Sequence, residues 1–243
     1  VSHAVADAWR SGGILEVGQA SPPDRPARPS RPELLRPGDM PRRRIGKGAK
    51  GRVALLHAIA HIELNAIDLA WDLIARAAPQ DLPRAFFDDW VGVADEEAKH
   101  FSLVAARLAA LDAAYGDLPA HDGLWEAAEE TAGYLLARLA VVPLVLEARG
   151  LDVTPAMIEK LNAAGDADSV AVLKVIYEEE IGHVAAGQRW FDFLATRQNL
   201  EPQSAWQNLV RHHFKGHLKP PFNHEGRGAA GFPEDYYLPL AAD

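Results

Sequence analysis

Cysteine is absent from all 243 residues. That excludes disulfides, thiolate zinc sites, cysteine nucleophiles and cysteine-held iron–sulfur clusters, so any metal must be held by histidine and carboxylate. No flavin-binding fingerprint is present either. No unbroken apolar run reaches the ~18 residues of a membrane-spanning helix, and the first residues lack the basic-then-apolar layout of a secretory signal. A cytoplasmic protein with no membrane partner is the expectation. Basic charge is scarce beyond the N-terminal segment: residues 1–52 carry 11 Lys and Arg against 5 Asp and Glu, and the remainder carries 14 against 29. So acidic a body disfavours general nucleic-acid binding, while the basic N-terminal segment remains able to touch a phosphate.

What is present is mostly helix-forming. Apolar residues make up 48% of the chain, enough for one sizeable core, and one bundle with extensions fits better than two domains. Apolar residues at three- and four-residue spacing predict long helices over Gly51–Ala77, Pro83–Ala114, Gly123–Arg149 and Asp166–Thr196. Gly150 is read as following a helix C-terminus. Thr154 is read as capping a short helix that Pro155 opens and that runs to about Ala164. A short helix over residues 1–12 and another over Pro202–Gly216 complete the set. The expected organisation is a Pro/Arg-rich arm over 1–50 packed on the bundle, a bundle over 51–198, and a C-terminal helix with an irregular tail over 199–243.

The chemistry centres on VAVLKVIYEEEIGHVAAGQRWFDFL, Val170 to Leu194. Glu180 and His183 are three residues apart, about 60° around a helix, so carboxylate and imidazole face one way. Glu97 and His100 repeat the signature. Each pair is preceded by an isolated acid in an apolar helical run: Glu63 lies 34 residues before Glu97, and Glu147 lies 33 before Glu180. The chain thus reads Glu, Glu-x-x-His, Glu, Glu-x-x-His, with its second half offset by 83 or 84 residues from its first. Tyr177, three residues before Glu180, shares the inward stripe; it either hydrogen-bonds a bound oxygen species or is itself oxidised near the metals, or is a core aromatic. Pro143, four residues before Glu147, predicts a kink beside the site.

This order of ligands is the one found in di-iron and di-manganese carboxylate bundles, where the side chains project inward from four helices. Over about residues 51–198 the chain resembles the ferritin-like superfamily. More narrowly, LLHAIAHIELNAIDLA, MPRRRIGKGAKGR, VLEARGLDVTP, KPPFN and AGFPEDYY resemble an uncharacterised ferritin-like family of unknown function, loosely linked to a tRNA-hydroxylating di-iron enzyme. The resemblance implies an all-α, ferritin-like four-helix bundle with extra short helices and extended arms. It also implies Glu63, Glu97, His100, Glu147, Glu180 and His183 as ligands of two metals.

Hard carboxylates with imidazole suit two iron ions, or alternatively manganese. The leading expectation is an oxygen-activating hydroxylase or oxygenase. It would use dioxygen, a small-molecule or modified-nucleoside substrate and an external reductase, with a homodimer as the commonest assembly. Ferroxidase or peroxide chemistry, and metal binding without catalysis, stay open.

Other residues carry weaker signals. His57 and His61 share a face turned away from Glu63 and are expected to pack against an extension. Glu96 lies 100° round from Glu97, at the surface or behind the ligands. Arg42, Arg43, Arg44, Lys47, Lys50 and Arg52 either bind an anion or pair with the acidic body. His212, His213, His217 and His224 are expected to be exposed tail histidines. Lys219, Asn223, Arg227, Tyr236 and Tyr237 fall in the family-like tail motifs and suggest a specific docking place, which could lid the site.

Overall fold

A computed structural model describes residues 1–18, 21–40 and 48–241. In chain order, the helices are α1 (Ser2–Arg10), α2 (Ala49–Ala77), α3 (Arg84–Ala109), α4 (Gly123–Glu129) and α5 (Leu135–Val141). A π-helical stretch, Val142–Glu147, runs into α6 (Ala148–Ala163). Then come α7 (Ala167–Arg197), α8 (Pro202–His213), α9 (His224–Ala229) and α10 (Glu234–Tyr237). The protein is all-α, its long helices packed as in a helical bundle. Among the described residues, a two-residue parallel ladder, β1 (Leu34–Leu35) with β2 (Ala120–His121), and a single parallel bridge between Leu218 and Ala241 depart from it.

The chain forms two compact units, one of Val1–Trp125 with Ala156–Ile176, the other of Glu126–Pro155 with Tyr177–Asp243. In the first, α2 packs along α3, and Leu56, Ala60, Val104, Leu108, Leu161 and Leu173 meet in an apolar cluster. Several described residues before α2 bond to this pair. The Ser2 hydroxyl donates to the Ala94 carbonyl (2.8 Å), the Trp9 indole to Asp88 (2.7 Å), and Arg28 to Asn65 and Asp68. Arg42, Arg43, Arg44 and Lys47 lie outside the described residues. Lys50 stands in the first turn of α2, and Arg52 pairs with Asp166 (3.0 Å) rather than standing open to an anion. α2 is also long and apolar enough, by length and composition, to cross a membrane, which corrects the expectation that no segment is. Its most apolar window is 61% buried within the protein.

His57 and His61 anchor the α3–α4 connection. His57 Nε2 accepts from the Gly116 amide (2.9 Å), and His61 joins the Tyr115 hydroxyl (2.9 Å) and the His121 carbonyl (3.1 Å). Burial holds the His61 imidazole down at about 4. α3 ends at Ala109, earlier than expected, because Asp112 takes a left-handed conformation (φ 55°) and the Ala113 amide turns back to the Leu108 carbonyl (3.0 Å).

In the second unit the expected helix over Gly123–Arg149 is broken. α4 ends in turns, α5 starts afresh at Leu135, and the chain then widens into the π-helical stretch at Pro143. Proline has no N–H to give Leu139, and the Ala148 amide reaches back five residues to the Pro143 carbonyl. The neighbouring Ala140 carbonyl accepts instead from the buried Trp206 indole of α8 (3.1 Å). Gly187 of α7 makes room for Pro143: a Cβ there would lie 2.7 Å from the Pro143 Cγ.

The boundary expected at Gly150–Pro155 does not exist either. α6 runs through both residues, and the Leu151 carbonyl, which Pro155 cannot serve, is taken by the Asn223 side chain (3.0 Å). Nor is the tail irregular, since α9 and α10 form within it, while α8 stops at His213.

Candidate metal centre

The inward faces of three long helices carry charge where apolar residues would be usual. On α2, Glu63 is 3% exposed; on α3, Glu97 and His100 are both 0%; on α7, Glu180 is 9% and His183 1%. Each Glu-x-x-His pair does share a face. His100 Nδ1 lies 3.4 Å from Glu97 Oε2 and 3.4 Å from Glu63 Oε2, and His183 Nδ1 lies 3.7 Å from Glu180 Oε2. Ligand atoms of Glu63, Glu97, His100 and Glu180 all fall within 4.8 Å of one another, and this buried group could hold a metal ion.

Of the six residues expected as ligands, these four come together. His183 is buried beside Glu180 but outside the group, and Glu147 is half-buried at the end of the π-helical stretch. Tyr177 is half-buried on α7, its hydroxyl accepting from Asn223 (2.8 Å). Glu96 is half-buried beside Glu97.

Three carboxylates in so small a buried volume require positive charge. Burial acts to lower the His100 imidazole, but hydrogen bonds and charge from Glu97 and Glu63 outweigh it and push it up to about 10. Without a metal such an imidazole would hold a proton, which a bound ion would displace. Hard carboxylate oxygens with one imidazole form a donor set that a divalent metal ion can use.

The tail histidines assemble no comparable group among the described residues. His212, His217 and His224 are exposed while His213 is half-buried, His212 and His213 meet edge to face (ring centroids 4.6 Å), and His224 bonds the Tyr237 hydroxyl (3.0 Å).

Within the second unit lies a network that the sequence reading did not find. Asp152 of α6 is buried and takes both arms of buried Arg227 (2.8 and 2.7 Å), whose guanidinium sits among Phe222, Phe232 and Tyr237. Arg149 donates to the Lys219 and Pro221 carbonyls (2.6 and 3.2 Å). The available signal was the single arginine among aromatics in the tail motifs; its acidic partner is 75 residues away and could not be named from spacing.

The chain matches, over residues 1–238, the family described as a protein of unknown function, DUF455. It belongs to that family. A relative from Haemophilus influenzae, described as an uncharacterized protein, is 42% identical over 211 residues, covering 85% of this chain and 73% of the relative. No solved structure matches. Membership in DUF455 brings no activity with it, so the reading of the site rests on its own residues.

Proposed function

We propose that this protein is a di-metal carboxylate oxidoreductase of ferritin-like type, with oxygen-activating hydroxylase or oxygenase chemistry. The observation that carries the reading is the buried group of Glu63, Glu97, His100 and Glu180. It contains the acid, the Glu-x-x-His pair and the shared acid that one ion of such a pair would take. Glu147 and His183, with Glu97 and Glu180, would hold the second. Four carboxylates balance two divalent cations, so the buried site reaches neutrality only when both are present.

Iron or manganese, when bound, would supply the redox chemistry. The chain's own residues hold the ions, exclude bulk water through their burial, and offer the Tyr177 hydroxyl one turn from Glu180. The same proposal includes a small organic or modified-nucleoside substrate, dioxygen, a separate reductase and a cytoplasmic setting. Ferroxidase or peroxide chemistry would use the same ligands without an organic substrate.

Elemental analysis of protein purified without added metal or chelator tests the site. About two iron or manganese ions per chain are expected, and none would sink the reading. Oxygen uptake that depends on an added organic compound supports the hydroxylase; peroxide turnover without one supports the alternative.

A further inference from the structure

Asn223 uses every polar group of its side chain. Its Oδ1 accepts from the Gly226 amide (3.0 Å), capping α9, which fixes which end of the side-chain amide is nitrogen. The two Nδ2 hydrogens then go to the Leu151 carbonyl (3.0 Å) and the Tyr177 hydroxyl oxygen (2.8 Å). Because the Tyr177 hydroxyl meets the nitrogen of the Asn223 side chain and not its oxygen, it can only receive from it. The phenol's own hydrogen meets no acceptor among the described residues.

Two further features show that this contact is built. A Cβ on Gly226 would lie 2.8 Å from the Tyr177 hydroxyl and 2.9 Å from Asn223 Nδ2, so glycine is what allows the segment so close. Asp152 fastens the segment from the other side, accepting from the Asn223 amide (3.0 Å) while holding Arg227. Leu151 lies one turn beyond Glu147, and Tyr177 lies three residues before Glu180. Asn223 therefore ties together two helical segments at the points where they carry Glu147, Glu180 and His183.

We propose that Asn223 is a positioning residue of the metal centre: it sets the spacing of α6 and α7 and turns the Tyr177 hydroxyl so that its hydrogen is offered to a small acceptor ligand bound there. The proposal rests on the di-metal reading above. The ligand class is a small molecule or anion with an exposed lone pair, for which azide is a convenient probe.

The test compares full-length parent, Asn223→Asp and Tyr177→Phe, each loaded with iron and titrated with azide by its iron–azide absorption. Asn223→Asp keeps size and the acceptor for Gly226, but has no hydrogen for Leu151 or Tyr177, and its second oxygen would capture the Tyr177 proton. Both variants should keep the parent's metal content and helical circular dichroism, while the azide Kd rises about tenfold in each, the effect of losing one hydrogen bond to a charged ligand. A metal-loaded parent whose Tyr177→Phe variant binds azide unchanged overturns this proposal alone, and so does unchanged binding by folded Asn223→Asp. A parent that takes up no metal overturns the di-metal reading and this proposal with it.

Discussion

Glu63, Glu97 and His100 stand on two uninterrupted α-helices that pack along each other, whereas Glu147, Glu180 and His183 belong to a part of the chain that has been remodelled. There the helix before Glu147 widens at Pro143, a glycine on α7 admits the proline ring, and a C-terminal segment serves the carbonyl freed by a second proline. The repeat is therefore closer in ligand order than in backbone. A plain helix pair suffices to hold three donors within 4.8 Å. The second half spends regularity on admitting a tail, and π-helical irregularities of this kind occur often at functional sites.

Removing ligands from each half gives the largest expected effect. Glu97→Ala deletes an acid that both ions would share, so metal content should fall from about two per chain to none. Glu147→Ala removes only a ligand of the second ion and should leave about one. Equal loss from both variants, measured by elemental analysis, would erase the proposed division of labour between the halves.

Next comes the fastening of the tail. Asp152→Asn leaves the Arg227 guanidinium charged and buried among three rings, a change that costs about 3–5 kcal/mol when a buried pair loses one partner. Denaturant unfolding reads it. An unchanged midpoint would mean that the tail contributes little to the second unit.

A finer probe of the remodelled helix is Gly187→Ala, whose added methyl meets the Pro143 ring and should cost about 1–3 kcal/mol. Gly182→Ala, on the same helix but facing open space, should instead be neutral or stabilise by about 0.5–1 kcal/mol. If the two substitutions behaved alike, Pro143 would not be seated against α7.

Much of this was legible beforehand. The spacing of apolar residues located the long helices, and the isolated acids with the doubled Glu-x-x-His pattern named six residues, four of which the fold brings together. Local rules failed where a distant residue decides the outcome. Thr154-Pro155 reads as a helix start because a first-turn proline needs no N–H partner; α6 continues because Asn223, 72 residues from Leu151, supplies the donor that Pro155 lacks. The reading of α3 failed more simply, since a single left-handed Asp112 is enough to end a helix whose apolar pattern runs on. The histidines of α2 were rightly kept apart from Glu63, but their partners in the α3–α4 connection could not be read from periodicity.

The smallest effect sharpens the comparison from the other side. In the first unit, Asp166 caps α7 by accepting from the Ser169 amide (3.1 Å) and also receives Arg107 (2.8 Å) and Arg52 (3.0 Å). Burial acts to raise its carboxyl, but the bonds from Ser169 and Arg107 outweigh it and hold the group below its ordinary value. A carboxyl depressed in the folded state stabilises above its unfolded value near 3.8, and that contribution disappears as pH falls through the folded value. Asp166→Asn keeps a cap acceptor but loses the charge, and both arginines retain some access to water. The variant should therefore lose only about 1 kcal/mol near neutral pH, less than Asp152→Asn. The gap to the parent should close on acidification below about pH 4. Urea unfolding at pH 7 and at a series of pH values below 3.8 checks both points: a gap that did not narrow at all on acidification would mean that Asp166 acts through packing rather than through its charge.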